Sequence, residues 1–168
     1  MLKPTGLAWI DKAAGYIGEQ EIKGGKHNPL IIDWWKAIGA SWFKDDETPW
    51  CGAFVGGVLA EVGIKPLPGG KGASARAWNE FGVKLLKPAV GCIVIFSRNG
   101  GGHVGFVVGK DQKGNLMVLG GNQADGVNIK PFATSRVLGY RWPSVFPAES
   151  RFNLPVITSD GRLSTNEA

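Results

Sequence analysis

The 168-residue chain is poor in the residues that metal centres and disulfide frameworks are made of. It has two cysteines, Cys51 and Cys92, and two histidines, His27 and His103. A zinc site would consume nearly all four, and none of their spacings is a metal-ligand spacing. No metal and no cofactor is therefore expected. Two lone cysteines do not make a disulfide framework either. Long apolar runs are also missing, since no stretch approaches the ~20 residues a membrane-spanning helix needs. At the N-terminus, Asp11-Lys12 interrupts the apolar run before it reaches signal-peptide length, so synthesis in the cytoplasm without a signal peptide is expected. Runs of arginine are absent and most basic residues stand alone. Nucleic acid is therefore not an expected partner, although the net charge is +5. That charge favours encounter with anionic polymers or surfaces.

Glycine, by contrast, is plentiful, with 26 residues and no triplet period. Hydrophobic residues at 43% and charged residues at 20% give a globular balance. The length suits one domain. We expect a single domain over residues 1–145 and a C-terminal extension over 146–168 that either packs as an arm or moves freely. A monomer is expected.

The first half reads as helices. Thr5 can cap a helix carrying Leu7, Ile10, Ala14 and Ile17 on one face. Asn28 followed by Pro29, with Gly39 beyond, punctuates a second. Thr48 and Pro49 start a third that stops at Gly63, and residues 74–81 form a weaker fourth. The second half reads as strands at 92–96, 103–109, 116–122, 126–130 and 136–142. Helices followed by an antiparallel meander make an α+β domain.

A cap at Thr48 puts Cys51 in the first helical turn. Unpaired N–H groups and the helix dipole there favour a thiolate and lower the thiol pKa. A small core residue is the bland alternative. Cys92 lies inside an apolar strand and reads as core. A nucleophilic cysteine needs a base, and His103 opens a strand after Asn99-Gly100-Gly101-Gly102. Gly105 faces the same side and leaves room for substrate. His27 reads as a solvated surface residue. If Gly109 pairs with Leu116, Asn122 lies opposite His103 and can hold its imidazole in one tautomer. A slip of one puts Gly121 there, and Gln123, Asp125 and Glu47 are substitute orienters. Most of the seven tryptophans read as core, with Trp50 the one expected to line a groove. The acidic run Asp45-Asp46-Glu47 suits either the helix dipole or a cationic group of a substrate.

Three segments together carry a resemblance. Thr48-Pro49-Trp50-Cys51-Gly52-Ala53-Phe54-Val55, Gly102-His103-Val104-Gly105-Phe106 and Gly120-Gly121-Asn122-Gln123 resemble the CHAP and NlpC-type cysteine peptidoglycan hydrolases. The likeness is greatest to the compact branch found in phage endolysins, and it runs from Trp9 to Trp142. It implies a papain-like α+β core with Cys51 as nucleophile, His103 as base and Asn122 as orienter. Trp50, Glu47, Gly105 and Gln123 are then the substrate-binding candidates. The implied reaction is cleavage of an amide of the peptidoglycan stem peptide through a thioester, at the cell wall and without integral membrane contact. The chain departs from the family at Gly91-Cys92, where Gly-Asp is common, and at Trp50, where a polar residue often stands. Two other classes remain open: a glycosidase using Glu19 or Glu21 as its acid, and a non-catalytic wall-binding module.

Overall fold

A computed structural model describes residues 2–22, 26–46 and 48–160. Glu47, one of the substrate-binding candidates, lies outside the described residues. Three α-helices come first: α1 (Ala8–Ala14), α2 (Pro29–Ala37) and α3 (Cys51–Glu61). Two 3-10 segments follow, Pro68–Ala73 and Ala75–Glu80, where one weak helix was expected. The strands are β1 (Val83–Leu85), β2 (Ile93–Arg98), β3 (Gly101–Lys110), β4 (Leu116–Gln123), β5 (Gly126–Phe132) and β6 (Val137–Trp142). They form one sheet in the order β1-β6-β2-β3-β4-β5, with every pairing antiparallel. The domain is thus α+β, as the sequence leads one to expect. Strands β2 to β5 are a meander, but β6 returns to pair with β2, and the short edge strand β1 has no counterpart in the sequence reading. Among the described residues no helix is long and apolar enough to cross a membrane.

Helix α2 forms where its punctuation says. Asn28 Oδ1 accepts from the Leu30 N–H at 3.0 Å, Pro29 fills the first helical position, and Ile31, Trp34 and Trp35 are buried. Helix α1 differs from expectation. It has no side-chain cap, it buries Trp9, Ile10 and Ala13, and Ile17 falls outside it with 42% exposure. Helix α3 is buried from Cys51 to Leu59 and packs between α2 and strands β3 and β4. Glycines allow that approach. A Cβ on Gly52 would collide with the Gly72 carbonyl oxygen, and one on Gly57 with the Trp34 ring. Each helical glycine costs about 1 kcal/mol of helix propensity relative to alanine, and here close packing on every side offsets it.

Residues after β6 continue to pack on the core. Val156 bridges Lys110 in parallel, Ile157 is buried, and Arg151 Nη1 donates to the Thr5 carbonyl at 2.7 Å. Beyond Asp160 the extension lies outside the described residues.

The loops leading into α2 and α3 are fastened to a single carboxylate. Asp46 is fully buried. Its Oδ2 accepts from the N–H groups of Ile22 at 2.7 Å and Asn28 at 2.8 Å, and its Oδ1 lies 3.1 Å from His27 Nδ1. His27 is therefore half-buried against Asp46 rather than freely solvated. Burial by itself would raise the Asp46 pKa, but the Ile22 and Asn28 amides and His27 outweigh it and hold the carboxyl below its ordinary range. Asp45 continues the clamp, its Oδ1 accepting from the Thr48 N–H at 2.7 Å. Both residues are thus structural, which disposes of substrate contact by Asp46. Removing the Asp46 carboxylate strands the buried Asn28 N–H and the partly buried Ile22 N–H. We expect Asp46→Ala to lose about 2–4 kcal/mol of stability in urea denaturation, with a smaller loss for Asp46→Asn, which keeps one acceptor oxygen.

Candidate active site

Cys51 is the first residue of α3, with Trp50 as N-cap and no capping side chain. The helix starts later than expected, with Trp50 as the residue before it, while the Thr48 N–H is held by Asp45 Oδ1 in the preceding loop. Cys51 thus sits at the very start of the helix, where the first N–H groups lack intrahelical acceptors. Its side chain is 4% exposed. The net effect on its thiol runs against the sequence reading. Burial raises the pKa, and the Val104 N–H, the Arg98 charge and the N–H groups of Gly52 and Cys51 lower it only in part. The helix start acts in the expected direction, but desolvation is larger. Cys92 is wholly buried, and burial pushes its thiol up to about 12.

His103 lies on β3, paired with Phe96 of β2 and stacked on Phe132 at 5.1 Å between ring centroids. It is 1% exposed. Its Nε2 lies 2.9 Å from Gln123 Oε1. Which atom carries the proton follows from the other end of the glutamine. Gln123 Nε2 faces three acceptors: the carbonyl of Val118 at 3.2 Å, the carbonyl of Asn128 at 2.9 Å and Asn128 Oδ1 at 3.0 Å. The amide nitrogen must therefore point there, and the oxygen must point at the imidazole. An acceptor oxygen requires a donor, so His103 carries its proton on Nε2. Nδ1 is left as a lone pair, buried and without a hydrogen-bond partner. Burial depresses the imidazole pKa to about 4, with the Gln123 hydrogen bond opposing it and the charges of Arg98 and Arg136 reinforcing it.

The residue that reaches His103 is thus Gln123 and not Asn122. The expected β3–β4 register is present in the strand interior, where Phe106 pairs with Leu119, although Gly109 pairs with Met117 across an irregularity. It fails farther on because β4 bulges. Asn122 has φ 58, and the β4–β5 register shifts between Gly120 and Gln123. An extra residue in the left-handed region breaks the strand's alternation of faces, so the next side chain takes the place beside the imidazole. Gly120 makes the space: a Cβ there would collide with Gln123 Oε1 and lie 3.5 Å from His103 Nε2. Asn128, which fixes the amide, was not among the sequence candidates. The glycine pair before Asn122 and Gln123 is the local signal of such a bulge.

Three other expectations change. Trp50 is fully buried, packs 5.9 Å from Trp34 and donates its indole N–H to Glu21 Oε1 at 2.8 Å, so it does not line a groove. The tryptophan that is exposed is Trp42, at 61%. Gly105 leaves no room for substrate, since a Cβ there would meet Val118 Cγ1 at 2.6 Å. The carboxylates considered for glycosidase chemistry are engaged structurally: Glu21 holds Trp50, and Glu19 Oε2 accepts from Asn28 Nδ2 at 3.1 Å.

Cys51 opens onto a cavity of about 320 Å³ whose walls include Pro49, Ser74, Arg76, Arg98 and Gly101. None of these arginines was a sequence candidate. The Val104 amide on the Cys51 thiol places the cysteine beside the residue that follows His103. The arrangement is a thiol at a helix start, a neutral imidazole with one free lone pair, and an amide that fixes the tautomer.

Residues 43–122 match the family model of the CHAP domain. The match takes in Cys51, His103 and Asn122, and it ends one residue before Gln123. No curated protein matches the chain.

A histidine held neutral by burial makes stability depend on pH. Between its ordinary value of 6.5 and its folded value of about 4, the unfolded chain takes up a proton that the folded chain does not. Its contribution is therefore intact above 6.5 and lost as pH falls through that window. The expected loss is about 3 kcal/mol, read from urea denaturation at a series of pH values. His103→Phe, which keeps an aromatic ring against Phe132, should lack this part of the pH slope.

Proposed function

We propose, from the match of residues 43–122 to the CHAP domain model, that this chain is a cysteine amidase or endopeptidase cleaving an amide bond of the peptidoglycan stem peptide. Its place of action is then the cell wall, with phage endolysins as the functional parallel. The observation that carries the reading is the Gln123–His103 hydrogen bond, which leaves Nδ1 of a buried imidazole without a partner, one residue before Val104, whose amide meets the Cys51 thiol.

The mechanism begins from a neutral thiol and a neutral imidazole. The Cys51 sulfur attacks the amide carbonyl carbon while His103 Nδ1 takes the thiol proton. The backbone N–H of Cys51, at the first helical position, is the candidate donor to the resulting oxyanion. The C–N bond breaks, the leaving amine takes the proton from Nδ1, and a thioester remains. Water then attacks the thioester, giving one proton to Nδ1. Collapse releases the carboxylic acid and returns that proton to sulfur. Gln123 accepts from Nε2–H throughout, so the imidazolium formed in each half-reaction keeps its orientation. Trp50 and Gly105 have no part in this scheme, and the orienting role expected of Asn122 passes to Gln123.

The test is release of new amino groups from purified peptidoglycan, with new reducing ends measured alongside to detect a glycosidase. Cys51→Ala and His103→Ala should fall to background, and Cys92→Ser should keep activity. Gln123→Ala should lose about 10–100-fold in kcat, and its acidic limb should move to lower pH, because the lost hydrogen bond is the one that raises the imidazole pKa. Asn122→Gly, which suits the left-handed backbone, should stay within about threefold of wild type. Full activity in Cys51→Ala, or reducing ends in place of amines, would sink the proposal.

A further inference from the structure

The cavity at Cys51 adjoins a second one of about 600 Å³, and the two share Arg76, Arg98, Asn99 and Gly100. Arg136 lines the far side. The three arginines come from three separate elements: Arg76 from the second 3-10 segment, Arg98 from the end of β2, and Arg136 from the turn before β6. Their side chains are exposed to solvent in the cleft. Arg76 is held in place, its Nε donating to the Gly101 carbonyl at 2.8 Å. Ser97 Oγ, adjoining Arg98, contacts the Arg136 carbonyl at 3.5 Å and ties that turn to β2. Among the described residues neither cavity is lined by a carboxylate, and none is paired with any of the three guanidinium groups.

Three cations drawn to one cleft repel each other, and the fold supplies no described counter-ion. Guanidinium groups match the two oxygens of a carboxylate in a planar fork. We propose that Arg76, Arg98 and Arg136 form an anion subsite beside Cys51 that holds a carboxylate of the stem peptide while a neighbouring amide lies at the sulfur. This deepens the reading of the chain as a peptidoglycan amidase or peptidase, and it rests on that reading. Stem peptides carry free carboxylates close to their amide bonds, so the subsite would select the peptide by charge and set which amide reaches the nucleophile. A phosphate of a wall polymer could satisfy the same guanidinium groups, and the substrate arms below tell the two apart.

The experiment measures KM and kcat on soluble peptidoglycan fragments freed of phosphodiester polymers. One batch keeps its peptide carboxylates, and in a second they are converted to primary amides. Arg76→Gln, Arg98→Gln and Arg136→Gln are compared with wild type and with Lys84→Gln, an exposed lysine on β1 outside the cleft. On the carboxylate substrate each arginine variant should raise KM about 5–10-fold, while Arg76→Gln leaves kcat within about twofold. Amidation should raise the wild-type KM by a similar factor, after which the arginine variants should add little, because the partner of the interaction is already gone. Lys84→Gln should match wild type on both. Unchanged KM in the arginine variants, or equal losses on both substrates, overturns the subsite while leaving the hydrolase reading intact. Losses seen only on walls that still carry phosphodiesters assign the arginines to phosphate and overturn the carboxylate. No amine release by the wild type overturns both readings together. Thermal melting checks each fold, and should Arg76→Gln unfold for want of its Gly101 bond, Arg98→Gln and Arg136→Gln decide the matter.

Discussion

A single side-chain amide, unable to turn round, fixes the chemistry available to His103. Gln123 has its nitrogen committed to Val118 and Asn128, and only its oxygen can meet the imidazole. Reversing the amide would set NH₂ against Nε2 and a carbonyl oxygen against three other acceptors, beside a buried imidazole. The tautomer is therefore a consequence of β4–β5 hydrogen bonding, since Asn128 belongs to β5 and itself donates to the Gln123 carbonyl at 2.6 Å. The bulge that brings Gln123 inward, the missing side chain of Gly120 and the aromatic wall of Phe96 and Phe132 all serve that one contact.

The same burial that fixes the geometry opposes ionisation. Desolvation raises the pKa of Cys51 and lowers that of His103, so both move toward their neutral forms. A resting thiolate–imidazolium pair is then disfavoured, and the proposed mechanism needs a base ready to accept the thiol proton as the carbonyl is attacked. A neutral Nδ1 with no competing hydrogen bond meets that need. Aiming a lone pair at nothing in a buried site costs stability, and such a cost is common where a group is kept free for chemistry.

The large features of this fold were readable because they rest on local chemistry. Asn28 and Pro29 start α2 wherever they are placed, and the apolar run from Ile93 forms a strand because nothing in it tolerates solvent. Cys51 and His103 stood out by position, one after the Thr48-Pro49 signal and one after a glycine run. What escaped depends on partners far away in sequence. Thr48 lies outside α3, in a loop where Asp45 holds its N–H. Trp50 is core because Glu21 receives its indole N–H and Trp34 covers its ring. Asn122 yields to Gln123 through a backbone irregularity that strand alternation assumes away. The three arginines are separated by as many as sixty residues and form a group only once β2, β6 and the 3-10 segment are assembled.

Arg98 bears on both members of the proposed catalytic pair, and its two effects oppose each other in the proton transfer. A nearby positive charge favours a thiolate and disfavours an imidazolium, so it lowers the pKa of Cys51 and of His103 alike. Proton transfer from sulfur to Nδ1 depends on the difference between those two values. A charge that shifts both in one direction changes that difference by less than it changes either value. Arg136 differs, because its charge lowers the His103 pKa and does not figure at Cys51. Arg76 figures at neither group, so an anion bridging Arg76 and Arg98 would disturb the proposed proton transfer least. In the proposed scheme that division lets binding strength be set by the arginines and chemistry by Gln123, His103 and Cys51. It is also the physical reason to look for the arginines in KM rather than in kcat.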